Sequence, residues 1–438
     1  MDTEFDEKRQ RRRRRRIRNQ IAAIIVFVAV IAAVMVGIFF GARKLYRMFT
    51  AYKQEVEEQL ATEETTPVVS ITDEEPIVIE APEEEAEEET AVPTQEELLD
   101  QIVNTLISEM PLEDKVAGLF ILTPEQLTGV DTAVKAGTGT QDALGAYAIG
   151  GLVYAVKNIK DEEQIKEMLK TTSGMSKYPV FMAVSESGAS STVARALSLT
   201  EVDSAKTIGQ TGDWEAAATA AETQAVYLSD LGFNLNLGVD CNLSEEESSF
   251  GTDAEAVSPM VARTVEGLAS NGVNSCLRFF PAKGDTASGM ATAEPSEEEQ
   301  AATEQVFRAG IEAGATMVCV GNISMPGLTG DNTPCDLSAA VVTSLLREQL
   351  GYDGIVITDA LNEKAITEYY TSEQAALLAL AAGADLLYLP EDFKAAYEGV
   401  LAAVQDQTIP EARIDTSLKR IYRVKYRNKV EDITAATP

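Results

Sequence analysis

From residue 118 onward, short apolar runs rich in β-branched residues punctuate the chain at 118–122, 152–155, 180–184, 233–237, 275–280, 317–321, 355–359 and 386–390. Between them, apolar positions recur with helical spacing at 161–171, 254–270, 296–313, 338–350, 372–382 and 393–404. Eight strand-like runs alternating with helical patterns predict parallel βαβ units, hence an α/β chain built as a (β/α)8, TIM-like barrel over residues 96–430. A doubly wound sheet would want a glycine-rich turn after its first strand, whereas Leu122 is followed by Thr123, Pro124, Glu125 and Gln126. One further apolar stretch has a different length. Residues 21–42 are 22 consecutive positions without a charge or an amide, enough at about 1.5 Å per residue for a helix to cross about 30 Å of hydrocarbon.

Charge divides the chain along the same lines. Residues 1–53 hold 13 basic and 4 acidic side chains, residues 54–100 hold 18 acidic and no basic ones, and residues 101–438 hold 23 basic against 48 acidic. Lys8, Arg9, the arginines at 11–16 and Arg18 precede the apolar stretch, while only Arg43, Lys44, Arg47 and Lys53 follow it closely. The positive-inside rule therefore predicts a basic cytoplasmic tail at 1–20, a transmembrane helix at 21–42 and an extracytoplasmic remainder at the cell membrane. A cleaved signal peptide would need a shorter apolar run and a small-residue cleavage site. Glutamate runs at 83–85 and 87–89 in an aromatic-poor context predict that 43–95 is a disordered acidic linker. The barrel follows, and 431–438 is a short tail. A net charge of -34 also argues against a nucleic-acid partner.

The chain has no histidine, which excludes Ser-His-Asp and Cys-His triads and His-ligated metal sites. Cys241, Cys276, Cys319 and Cys335 are not spaced as a zinc or CxxC pair, so no metal and no cofactor is expected. They read as buried small hydrophobes, with one or two disulfides left open outside the cell. In a barrel, chemistry sits where strands end. The polar residues there are Asp240, Arg278 with the 281–286 loop, Asn322, Asp359, Glu391 and Asp392. On spacing alone, Asp359 reads equally as a catalytic carboxylate and as a helix cap.

Several stretches carry a resemblance: LGFNLNL (231–237), SFGTDAEAV (249–257), RFFPAKGDT (278–286), LREQLGYDGIVITDAL (346–361), AAGADLLYLP (381–390) and IPEARIDTSLKRIYRVKY (409–426). Together they resemble, in order over about residues 98–427, the catalytic barrel of glycoside hydrolase family 3, and most closely its bacterial β-N-acetylhexosaminidases. The resemblance implies that Asp359 is the nucleophile of a retaining hydrolysis. It also implies an Asp-Ser-His acid/base element in the loop after strand five, where this chain has Gly289, Met290 and Ala291. Sugar-holding positions of the family fall on Arg278, Lys283, Asn322, Ser185 and Ser248, where the family carries Lys, His, His, Asp and Arg. Losing a charged or bidentate partner to a sugar hydroxyl costs about 1–3 kcal/mol each.

Two readings follow. In one, the barrel binds cell-wall or other peptidoglycan-derived amino-sugar glycans, or an envelope protein, without cleaving them. In the other it is a working hydrolase with a substitute acid, for which Glu186, Asp285 and Glu294 are the carboxyls available.

Overall fold

The computed structural model describes residues 94–187, 191–199 and 202–435. The expected cytoplasmic tail, the apolar span at 21–42 and the acidic linker up to residue 93 lie outside the described residues. Among those described, no helix is long and apolar enough to cross a membrane.

All eight predicted strands form: β1 (Phe120–Leu122), β2 (Gly151–Val153), β3 (Phe181–Val184), β4 (Leu235–Asp240), β5 (Asn274–Phe280), β6 (Met317–Val320), β7 (Ile355–Thr358) and β8 (Leu387–Tyr388). They are parallel and run in the order β7-β6-β5-β4-β3-β2-β1-β8. A parallel bridge between Ile357 and Leu386 joins the two ends of that order and closes the barrel. Every residue of β1, β6 and β7 is buried. Strands covered on both faces have no solvent side to alternate with, which is why they read as unbroken apolar runs.

The seam between β7 and β8 has its own fastening. Asp385, fully buried just before β8, accepts from Val356 N at 3.0 Å, Arg347 Nη2 at 2.6 Å, Ser417 Oγ at 2.6 Å and Arg420 Nη1 at 3.4 Å. One carboxylate thus ties two strands to helices 340–349 and 411–435.

Capping residues start the helices where the spacing places them. Asp161 accepts from Gln164 N at 2.8 Å, and Ser296 with Glu299 and Thr371 with Gln374 make reciprocal capping boxes. Asp392 caps Phe393–Gln405 through Ala395 N, so this strand-end carboxylate is structural. The segment predicted as a helix at 338–350 is one, but wound with the wider π spacing over Ala340–Gln349. Its buried Val341, Val342, Leu345 and Leu346 suit either winding. The closing helix Glu411–Ala435 continues past residue 430, where the tail was expected to begin, and lies against Gln95–Glu109 with Arg423 paired to Glu96 and Asp100.

Two helices beside β4 were not anticipated, Ala205–Thr211 and Trp214–Leu231. The second packs along Ala254–Ala269, and its first residue, Trp214, is 43% exposed with the Arg263 guanidinium 4.5 Å from its ring centre. All four cysteines are buried and free, so neither disulfide left open by the sequence is present. Burial pushes their thiols up, Cys276 to about 12.

Candidate active site

The strand ends bring the expected residues together around a polar cleft. Arg278 leaves β5 beside Asp240 at the end of β4, with which it is in register. Asp359 follows β7, its backbone N donating to Val320 O of β6 at 2.9 Å. Arg278 Nη2 donates to Asp359 Oδ1 at 2.8 Å, and Ala360 N donates to the same oxygen at 2.9 Å. Both partners of this ion pair are largely withdrawn from water. Burial alone would lower the Arg278 pKa, but the Asp359 charge together with Cys319, Tyr388 and Cys276 outweighs it and holds the guanidinium above its ordinary value. Its planar face lies over Phe279, 4.3 Å from the ring centre.

A second cation, Lys283, also lies over Phe279, 5.2 Å from the ring centre. Lys283 Nζ lies 3.3 Å from Asp240 Oδ2 and also pairs with Glu246. Ser248 Oγ donates to that same Asp240 oxygen at 2.7 Å. Ser185, Ser248, Arg278, Phe279 and Lys283 line a cleft of about 470 Å³. Four of the five sugar-holding positions inferred from the resemblance therefore share one cavity. The fifth, Asn322, is fully buried; its Nδ2 donates to Ala360 O at 3.1 Å and Glu363 Oε2 at 3.3 Å. It supports the turn after Asp359 from below.

The proposed substitute acids are placed less favourably. Glu186 is buried with both oxygens engaged: Tyr227 Oη donates to Oε2 at 2.7 Å and Val193 N donates to Oε1. Burial and the Glu186 charge together raise the Tyr227 pKa, so the phenol stays a donor. Glu186 is thereby a structural carboxylate of the β3–β4 region, whose backbone is pinned to Asn236. Asp285 and Glu294 are exposed on the loop after β5. Neither makes an ion pair with a described residue.

Two carboxyls near Asp359 were not foreseen. Glu363 accepts from Asn322 and from Thr286 Oγ1. It stands in the stretch Asp359, Ala360, Leu361, Asn362, Glu363, so a search for acids just past β7 would have found it. Asp336 is fully buried, and neither of its oxygens has a hydrogen-bond partner among the described residues. Burial, then the charges of Asp359 and Glu363, raise its pKa well above the usual carboxylate range. It reaches this place because Cys335 N and Asp336 N donate to Ile323 O and Gly321 O, a pairing between loops that no local pattern announces. Among the described residues, no group of three or more Cys, Asp and Glu is arranged to hold a metal ion.

Comparison with known proteins places the barrel in a family. The profile of the glycosyl hydrolase family 3 N-terminal domain matches residues 112–424. A β-N-acetylglucosaminidase/β-glucosidase of Cellulomonas fimi is 26% identical over 349 residues, covering 74% of this chain and 59% of that protein. The β-hexosaminidase LpqI of Mycobacterium tuberculosis is 27% identical over 280 residues, covering 60% of this chain and 72% of that protein. A family 3 β-N-acetylglucosaminidase structure from Paenibacillus sp. FPU-7 superposes with a TM-score of 0.68 at 26% identity, covering 74% of this chain and 63% of that one. The chain thus spans little more than half the length of some of the curated relatives it matches, 59% and 54% for two of them.

Proposed function

Through its barrel the chain belongs to glycoside hydrolase family 3, and from that premise we propose that it recognises amino-sugar glycans, including those of the cell wall, while hydrolysing them very slowly or not at all. In this reading the span at 21–42 anchors the protein in the cell membrane and the acidic linker carries the barrel outside the cytoplasm. The relatives named for β-N-acetylglucosaminidase and β-hexosaminidase activity support the substrate class.

The loss of turnover rests chiefly on the surroundings of Asp359. Retaining hydrolysis needs two carboxyl groups about 5–5.5 Å apart, one as nucleophile and the other to protonate the leaving oxygen and then activate water. Here the nucleophile candidate is ion-paired to Arg278. Glu186 is committed to Tyr227 and Val193 and Glu363 to Asn322 and Thr286, Asp336 is shut off from the surface, and Asp285 and Glu294 face solvent. Arg278, Lys283 and the two serines still offer charge-assisted and neutral hydrogen bonds to hydroxyl groups, so binding outlasts catalysis.

The deciding experiment assays the purified full chain and its Asp359→Asn variant on 4-nitrophenyl N-acetyl-β-D-glucosaminide, alongside calorimetric titration with N-acetylglucosamine. The expected result is no turnover above the variant's background, with sugar binding that weakens about 10- to 100-fold in Arg278→Ala, the loss of one charged hydrogen bond. Parental turnover that Asp359→Asn lowers by two orders of magnitude or more would overturn the proposal, because it would reveal a working acid.

A further inference from the structure

Between β4 and helix Ala254–Ala269 the chain carries three consecutive glutamates, Glu245, Glu246 and Glu247, all exposed. The two ends of this loop are fixed to one another. Ser249, fully buried, donates through Oγ to Asn242 O at 2.5 Å, and Ser244 N donates to Gly251 O at 3.0 Å. A loop with a closed base and a polar tip can move at the tip while its ends stay in place. Two fastenings hold the tip. On the outer side Lys206 Nζ donates to Glu245 O at 2.7 Å and stands 3.8 and 3.9 Å from the carboxylates of Glu245 and Glu247, while Ser204 Oγ donates to Glu247 at 2.9 Å. On the inner side Glu246 pairs with Lys283, which belongs to the loop after β5.

The inner fastening uses groups that the cleft would offer to a ligand. Lys283 and Ser248 both line it, and both bond to Asp240 Oδ2. Asp240 is buried and its other oxygen accepts from Asn242 N at 2.9 Å, so it is a fixed partner of Lys283. The Glu246 side chain is 56% exposed, so its hold on Lys283 is the exchangeable one. Exposed ion pairs are worth little and weaken as salt rises.

We propose that residues 244–249 form a strap that closes the unliganded cleft, Glu246 occupying the Lys283 ammonium until a ligand hydroxyl takes its place. That a sugar does the displacing rests on the glycan reading above. Binding then carries a cost that an uncharged ligand would not otherwise meet, since an ion pair must open first. Two consequences separate such a strap from a loop that merely borders the site. An uncharged sugar should bind more tightly as salt rises, because salt weakens the ion pair and leaves the ligand's own contacts nearly untouched. Removing the carboxylate should have the same effect without salt.

The test titrates N-acetylglucosamine into the full chain and its Glu246→Ala variant at ionic strengths of about 0.01 M and about 1 M, between which the screening length falls from about 30 Å to about 3 Å. The variant should bind about two- to fivefold tighter than the parent at low salt, the worth of one exposed ion pair, and high salt should bring the parent to the variant's affinity. A second readout needs no ligand. Digestion with a glutamyl endopeptidase, followed at 245–247 by mass spectrometry, compares the parent with Lys283→Met, in which the sequence of the tip is unaltered; the freed tip should be cut faster. Equal affinity of parent and Glu246→Ala at both salts would overturn the strap, whatever the digestion shows, and leave the glycan reading standing. Faster cutting of Lys283→Met with no sugar bound by any form would uphold the fastening and sink that reading. Equal cutting with no sugar bound overturns both.

Discussion

Asp336 is a carboxylic acid enclosed with two other acids, Asp359 and Glu363, as its nearest charged neighbours in effect. Its proton is favoured in the folded chain and not in the unfolded one. Below about pH 3.8, its ordinary pKa, both states hold the proton and nothing is lost. Above that value folding must take up a proton, so stability falls as pH rises toward the raised folded pKa, by at most about 1.4 kcal/mol per pH unit. Asp336→Asn removes that linkage. The variant should therefore exceed the parent in stability by a margin that is larger at pH 7 than at pH 4, measured by denaturant unfolding at both. An equal margin at the two pH values would show that the acid is not held neutral. Tyr227→Phe should act more simply: it strips one of the donors from buried Glu186 and should cost about 1–3 kcal/mol. At this scale the strand-end rule picked out Asp240, Arg278, the loop that holds Lys283, and Asp359, because side chains at a barrel's C-terminal rim follow their strands directly, whereas Ser185 and Ser248 came only from the family resemblance. It missed Asp336, whose place depends on a pairing between two loops.

Helices Trp214–Leu231 and Ala254–Ala269 meet at a glycine. A Cβ on Gly267 would stand 2.7 Å from Ala218 O and 2.8 Å from Ala221 Cβ, so nothing larger than hydrogen fits between the backbones. Gly267→Ala should force the pair apart and cost about 1–3 kcal/mol, the usual penalty of overpacking, with a Tm lower by about 2–4 °C per kcal/mol. A melting curve of the full chain checks it, and an unchanged Tm would mean that the helices separate freely. The same pair explains what the sequence hid. Helix 254–269 combines its Asp253 cap with a clear apolar stripe, whereas Trp214–Leu231, though capped by Asp213, is rich in alanine and small polar residues and shows a weaker one. Its role emerges only from packing, where small side chains permit the close approach at Gly267. Helix 205–211 is likewise too short to show a period.

For the whole molecule, the closed barrel was legible because strands that are wholly or mostly buried write themselves as eight apolar runs. The closure itself was not, since it depends on Asp385 drawing Arg347, Arg413 and Arg420 from distant parts of the chain to one seam. Asp385→Asn would leave these arginines facing an uncharged amide. The expected cost is about 3–5 kcal/mol, the penalty of breaking a buried ion pair from one side, visible as a lowered midpoint in urea. Retention of the parental midpoint would show that the arginines find other partners. One ring offers a view of the opposite side of the barrel. Trp214 is the sole tryptophan of 438 residues. It stacks on Arg263 one helical turn from Ala217, which lines a pocket beside β4 together with Ile208, Val239 and Phe250. Ultraviolet emission from the full chain excited beyond the tyrosine band therefore comes from a single fluorophore one helical turn from that pocket, so a change of packing around it can be followed by colour and intensity without attaching a dye.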